Sequence, residues 1–169
     1  MRTLPSIVLL ILGSSLITSE ARAQRGVSVA EREVRETMQQ YATAYGSNDL
    51  DKYFSFFADD MTAWWGTNGR NDNPTPKAQY QKTYPDAVKR SGGYESCKLD
   101  DERVQVSPGA DAAVVSYRLG CIRRNPPSGQ QPLVTYQMTA ALFKRAKAWK
   151  IVHFNWRVEQ PQTPARTFQ

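Results

Sequence analysis

The chain has 169 residues, a formal net charge of +6, 40% hydrophobic residues and 11% aromatic residues. That fits one domain with a real core, and it is too apolar for a disordered segment. Two cysteines and one histidine leave almost no room for a zinc site built from His and Cys, and any His-dependent nucleophilic chemistry would have to use His153.

Taken in chain order, Arg2, the apolar stretch from Ile7 to Ile17 and Ala21-Arg22-Ala23 read as a secretory signal peptide, residues 1–23, whose removal leaves Gln24 first. The apolar stretch is short for a bilayer span, no later stretch could cross one, and no Cys follows the cut to carry a lipid. The expectation is a secreted or periplasmic protein with no membrane anchor, comprising a domain over 24–160 and a loose tail over 161–169. Removal of the leader lowers the net charge by one, from +6. The densest basic stretch, Lys144 to Lys150, and the Arg123-Arg124 pair read as a solvated turn and a loop. They form no continuous basic face, so no nucleic-acid partner is expected.

Ser28-Val29-Ala30-Glu31 is a capping box that opens a first helix. Val34, Met38, Tyr41, Ala42 and Tyr45 line one face of it, and Gly46-Ser47-Asn48 stops it. Asp49 caps a short second helix through Tyr53, Phe54 and Phe57, and a strand over 62–65 follows. Thr75 as cap and Pro76 as first helical residue open a third helix through Tyr80 and Val88, with a kink expected at Pro85. From Tyr94 the pattern becomes strand-like, over 96–107, 111–123, 133–144 and 149–159. Helices grouped ahead of a long antiparallel sheet predict an α+β domain: three N-terminal helices packed on a curved, mainly antiparallel sheet.

The cysteines test the strand register. If Pro108-Gly109-Ala110 is the hairpin loop, Ser107 faces Asp111, and counting outward places Cys97 opposite Cys121. Directly opposed cysteines are within disulfide reach, and export supplies an oxidising compartment. The same register sets Asp100 opposite Arg118 and Glu102 opposite Ser116, on the face away from the cysteines.

The stretch from Tyr41 to Asp51 with Phe57-Ala58-Asp59-Asp60 resembles the start of ketosteroid isomerases and SnoaL-like cyclases. Ser116-Tyr117-Arg118-Leu119 and Trp149 to Asn155 resemble the calcium/calmodulin-dependent kinase association domain and its bacterial relatives. Both belong to the nuclear transport factor two-like superfamily, whose fold is a cone. The isomerase resemblance implies that Tyr41 helps hold a substrate oxyanion. The positions of the general base and of the protonated Asp fall on Trp65 and Thr139, so steroid-type isomerisation is not expected. The association-domain resemblance keeps a pocket Arg at Arg118, while the remaining charged positions fall on Trp65, Ala141 and Trp156. Both resemblances turn Val152, Phe154 and Trp156 into the cone, and the period of two then turns Trp149, Ile151, His153 and Asn155 outward. His153 is accordingly read as an interface or packing residue, which a one-residue slip would turn into the pocket.

The expected pocket holds Tyr41, Trp65, Arg118, Thr139, Phe154 and Trp156, with Asp100 near its mouth. Aromatic walls with one cation suit a small apolar or anionic molecule carrying a carbonyl or carboxylate. Two functions fit. One is an exported ligand-binding or oligomerisation module, expected to dimerise through the outer sheet face. The other is a small cofactor-free isomerase, lyase or hydrolase with Asp100 or, if the register slips, His153 as base, and Tyr41 and Arg118 polarising an oxygen. No metal or cofactor is expected.

Overall fold

The structure is a computed structural model that describes residues 28–65, 74–126, 128 and 132–159. Residues 1–23, read as a signal peptide, and 161–169, read as a loose tail, lie outside the described residues. Helices α1 (Val29–Ser47), α2 (Leu50–Ser55) and α3 (Lys77–Ser91) pack on one face of a six-stranded sheet. Its strands are β1 (Phe57–Trp65), β2 (Thr75–Pro76), β3 (Tyr94–Val106), β4 (Ala112–Arg123), β5 (Leu133–Arg145) and β6 (Ala148–Val158). They run in the order β2-β1-β6-β5-β4-β3. All neighbours are antiparallel except β1 and β6. This is the expected α+β architecture.

Local chemistry explains the helix ends. Ser28 Oγ accepts from the Glu31 amide at 3.1 Å and caps α1. The Glu31 carboxylate turns to Arg35, 2.8 Å away, instead of closing the capping box. Asn48 ends α1 in the left-handed region at φ 59°, and its side chain holds both the amide and the carbonyl of Tyr94. Asp49 caps α2 through the Lys52 amide at 3.1 Å. Helix α2 stops at Ser55 and β1 begins at Phe57, so the second helix is shorter and the first strand longer than expected. The Phe56 carbonyl accepts from the Ile151 amide, drawing this segment into the sheet. Thr75 and Pro76 pair with Ala63 and Thr62 as a strand rather than opening α3, which starts at Lys77 with no side-chain cap.

Two bulges set the faces of the sheet. Cys97 lies opposite Cys121 and the two are joined in a disulfide, and Asp100 lies opposite Arg118, as expected. Nearer the turn the register is one residue different: the Ser107 amide bonds to the Ala112 carbonyl, and Arg103 rather than Glu102 faces Ser116. A bulge at Asp101 (φ 50°) reconciles the two halves. It turns Glu102 toward α1, where Arg35 meets it at 3.0 Å. Burial pushes the Glu102 carboxyl up, and the guanidinium partly offsets this. The second bulge, at Val152 in β6, puts Trp149 and Ile151 on the same buried face as Phe154. The expectation that Trp149 and Ile151 face outward is therefore corrected, while His153 and Asn155 do lie on the outer face.

The core fills the space between helices and sheet. Val34, Met38, Val115, Cys121, Ala140 and Leu142 are fully buried in it. Gly46 sits where α1 crosses β3: a Cβ there would lie 2.3 Å from the Cys97 amide nitrogen, so only glycine allows this approach.

Candidate functional site

All eight tyrosines of the chain lie in or against the core. Helix α1 contributes Tyr41 and Tyr45 one turn apart, α2 contributes Tyr53, and α3 contributes Tyr80 and Tyr84 one turn apart. The sheet contributes Tyr94, Tyr117 and Tyr136. The rings of Tyr41, Tyr45, Tyr53, Tyr80, Tyr84 and Tyr94 form a continuous set with Phe54, Phe57 and Phe154, in centroid steps of 5.3 Å for Tyr41–Tyr53, 5.2 Å for Tyr45–Tyr94 and 5.0 Å for Tyr80–Tyr84. The hydroxyls of Tyr94 and Tyr136 meet at 2.6 Å. The Tyr117 hydroxyl is buried without a hydrogen-bond partner.

This packing nearly closes the cone. The cavity left between Tyr41, Tyr53, Tyr80, Leu119, Met138 and Phe154 is about 10 Å³, close to the smallest that holds a water. Burial pushes the Tyr41 phenol up to about 12, against the weaker pull of the Tyr53 and Tyr117 hydroxyls. Burial likewise raises Tyr45, Tyr53, Tyr80 and Tyr117 well above the ordinary phenol value. At neutral pH these groups are uncharged hydrogen-bonding phenols and cannot act as bases.

The open space lies at the cone mouth. A groove of about 350 Å³ runs between α3 and the sheet edge, lined by Tyr45, Tyr80, Thr83, Tyr84, Ala87, Arg90 and Trp156. Trp156 packs edge-on to Tyr136. Arg90, in the last turn of α3, is exposed and makes no ion pair among the described residues. Among the described residues, the groove lining contains no carboxylate and no imidazole.

The structure separates the residues expected to share a pocket. Tyr41, Phe154 and Trp156 do line the cone. Arg118 and Thr139 face the other way, because Tyr117, Leu119, Met138 and Ala140 take the inner face of β4 and β5. Arg118 and Asp100 line an open groove of about 430 Å³ on the outer sheet face. The Arg118 guanidinium meets Glu159 at 2.7 Å and Asp101 at 3.5 Å, rather than Asp100, whose Oδ1 accepts from the Asp101 amide. Trp65 ends β1 opposite Trp156, but its side chain lies outside the described residues. His153 Nδ1 and Thr62 Oγ1 are 2.9 Å apart on the outer face. The expected pocket thus missed Tyr45, Tyr53, Tyr80, Tyr84 and Arg90. The Tyr pairs at one-turn spacing on the first and third helices were the signal that could have found them.

Comparison with known families settles the lineage. The SnoaL-like domain family matches residues 34–155, which takes in everything from the first turns of α1 to β6. The chain belongs to the SnoaL-like family. A comparison with curated proteins found no match. Among solved structures, this SnoaL-like domain is similar to a ketosteroid isomerase-like protein from Erwinia carotovora atroseptica, with a TM-score of 0.62 and 19% identity over 77% of this chain and 96% of that one. It is similar to a hexachlorocyclohexane dehydrochlorinase from Novosphingobium barchaimii, with a TM-score of 0.61 and 13% identity over 78% of this chain and 87% of that one. It is also similar to an NTF2-like protein of unknown function from Pseudomonas putida, with a TM-score of 0.64 and 18% identity over 81% and 92%. At these identities the likeness concerns the fold, which carries different chemistries in different members. No described helix is long and apolar enough to cross a membrane, and no cluster of three or more His, Cys, Asp or Glu among the described residues could hold a metal ion.

Proposed function

We propose that this SnoaL-like domain is an exported, non-catalytic binding module for a small planar apolar molecule carrying a carboxylate. The ligand lies in the mouth groove, its ring against Tyr45, Tyr84 and Trp156 and its carboxylate toward Arg90. The observation that carries this reading is the groove lining itself: among the described residues it has aromatic walls, one guanidinium without an ion pair, and no carboxylate or imidazole. Export is supported by the signal sequence and by a disulfide that needs an oxidising compartment. The alternative, an enzyme using Asp100 and Tyr41, has its two groups on opposite faces of the sheet.

Calorimetric titration with 1-naphthoate tests the reading. The mature protein binds it, and Arg90→Gln weakens binding by about tenfold or more, the loss of one charge-assisted contact. No heat of binding, or an unchanged affinity in Arg90→Gln, overturns the proposal.

The outer sheet face supports a homodimer. Val114, Ser116, Thr139, Ala141 and Trp64 give it a centre without acidic or basic side chains, with Val114 45% and Trp64 42% exposed. Light scattering that reports a dimer for the native protein and a monomer for Val114→Glu is expected; a native monomer removes this part.

A further inference from the structure

The cone is closed by side chains of its own third helix. Of the fifteen residues of α3 only Tyr80 is fully buried, and Tyr84 beside it is partly so. The Tyr80 hydroxyl lies 2.8 Å from that of Tyr53, and its ring packs edge-on to Phe54 at 5.3 Å. The Tyr84 ring stacks on Tyr53 at 5.5 Å and on Tyr45 at 6.0 Å. These two phenols occupy the volume that would otherwise be the pocket.

The helix that carries them is lightly held. Its start has no side-chain cap, and its leading strand β2 pairs through two residues only. Its firm polar anchor is Lys77, which donates to the Phe57 carbonyl at 2.9 Å and pairs with the fully exposed Asp59 at 2.8 Å. Pro85 removes one helical hydrogen bond just beyond Tyr84. Past the other end stand Gly92 and Gly93, both left-handed at φ 73° and 69°. The chain beyond them is fixed, because Asn48 holds the amide and carbonyl of Tyr94. Gly93 belongs to the clamp, since it is buried against Asn48 and its carbonyl accepts from the Arg124 amide, so the joint between helix and strand is Gly92.

We propose that α3 is a self-occupying lid: the Tyr80 and Tyr84 rings hold the places of a phenolic ligand, which enters the cone when the helix swings out about Gly92. This rests on the reading of the domain as a ligand-binding module and deepens it, since the helix that walls the mouth groove is the one that closes the inner site. The inner ligand is a phenol because the walls are already fitted to one. The Tyr53 hydroxyl is the hydrogen-bond partner, the rings of Tyr45 and Phe54 are the stacking and edge contacts, and no charge is required.

The experiment is hydrogen exchange on the mature protein with p-cresol, the tyrosine side chain without its backbone. Saturating p-cresol accelerates exchange of the α3 amides about fivefold or more, as the helix is displaced, while β4 and β5 are unchanged. An ordinary cavity filler would only slow exchange. Tyr80→Phe, which keeps the ring and loses the bond to Tyr53, binds p-cresol about three- to tenfold tighter, the factor expected for one hydrogen bond. Tyr80→Ala is expected to gain more, and Tyr80→Phe decides the matter where that variant does not fold. Absence of p-cresol binding, unchanged or slower α3 exchange, or equal affinity in Tyr80→Phe overturns the lid. Naphthoate binding without a p-cresol response leaves the mouth site standing and removes the lid; the reverse pattern removes the mouth site and keeps the lid.

Discussion

The hydroxyls of Tyr53 and Tyr80 meet at 2.8 Å inside the core and tie α2 to α3. Each is out of reach of bulk water, since Tyr53 is 1% and Tyr80 5% exposed. Tyr53→Phe removes one partner and leaves the other hydroxyl buried. It is expected to cost about 1–2 kcal/mol in urea unfolding with an unchanged slope. A loss below ~0.3 kcal/mol would show that this contact contributes nothing net.

The tyrosine cone also predicts alkaline behaviour. Burial raises Tyr41, Tyr45, Tyr53, Tyr80 and Tyr117, so the folded state keeps protons that the unfolded state releases above the ordinary value of 10.0. Their stabilising contribution is fully present below that pH and is lost as pH rises toward the folded values. Each such group contributes a slope of about 1.4 kcal/mol per pH unit in that window. Phenolate absorbance should therefore rise in one cooperative step that coincides with loss of far-ultraviolet dichroism. Gradual, independent ionisation near pH 10 with the fold intact would contradict the burial.

Two glycines separate close approach from spare room. At Gly46 a Cβ would sit 2.3 Å from backbone of β3, whereas at Gly120 the nearest atom is Leu133 Cδ1 at 3.8 Å. Gly46→Ala is expected to destabilise by about 2–4 kcal/mol, or to leave the protein unfolded, because backbone must move. Gly120→Ala should change thermal stability by less than ~1 kcal/mol. Equal effects would mean that the contact of α1 with β3 is not tight.

The disulfide closes a loop with a sequence separation of 24. Replacing Cys97 and Cys121 together with Ser should cost about 3 kcal/mol, a figure that assumes the stabilisation comes from restricting the unfolded chain. The double variant should melt lower, and the intact mass of the native protein should lie about two hydrogens below the reduced value. A reduced mass in oxidising buffer would remove the staple.

Arg118 and Arg90 are predicted to behave oppositely. Arg118 is about two-fifths exposed in its side chain and pairs with Glu159 and Asp101 on the outer face. Arg118→Ala should leave the unfolding midpoint nearly unchanged, because its ion pairs are exposed and screened, and leave naphthoate affinity unchanged, in contrast to Arg90→Gln. A loss of binding in Arg118→Ala would return the site to the outer face.

Much of this fold is legible from local chemistry. Ser28, Asn48 and Asp49 mark helix boundaries because their side chains meet backbone groups within a few residues. The Cys97–Cys121 pairing follows from counting along two strands. The residues read for the site fared differently. Tyr41, Phe154 and Trp156 reach the cone, while Arg118, Asp100 and Thr139 lie on the far side of the sheet.

The sequence by itself determined the α+β order, the caps and the disulfide pair, because each depends on residues close in the chain or on one hairpin. Only the tertiary structure decided which side chains share the cone. A strand's inner face is chosen by what it packs against, and bulges at Asp101 and Val152 each shift that choice by one residue. The clustering of eight tyrosines from three helices and three strands is likewise a property of packing, invisible to any local count. It turns a cone expected to be open into one filled by its own phenols.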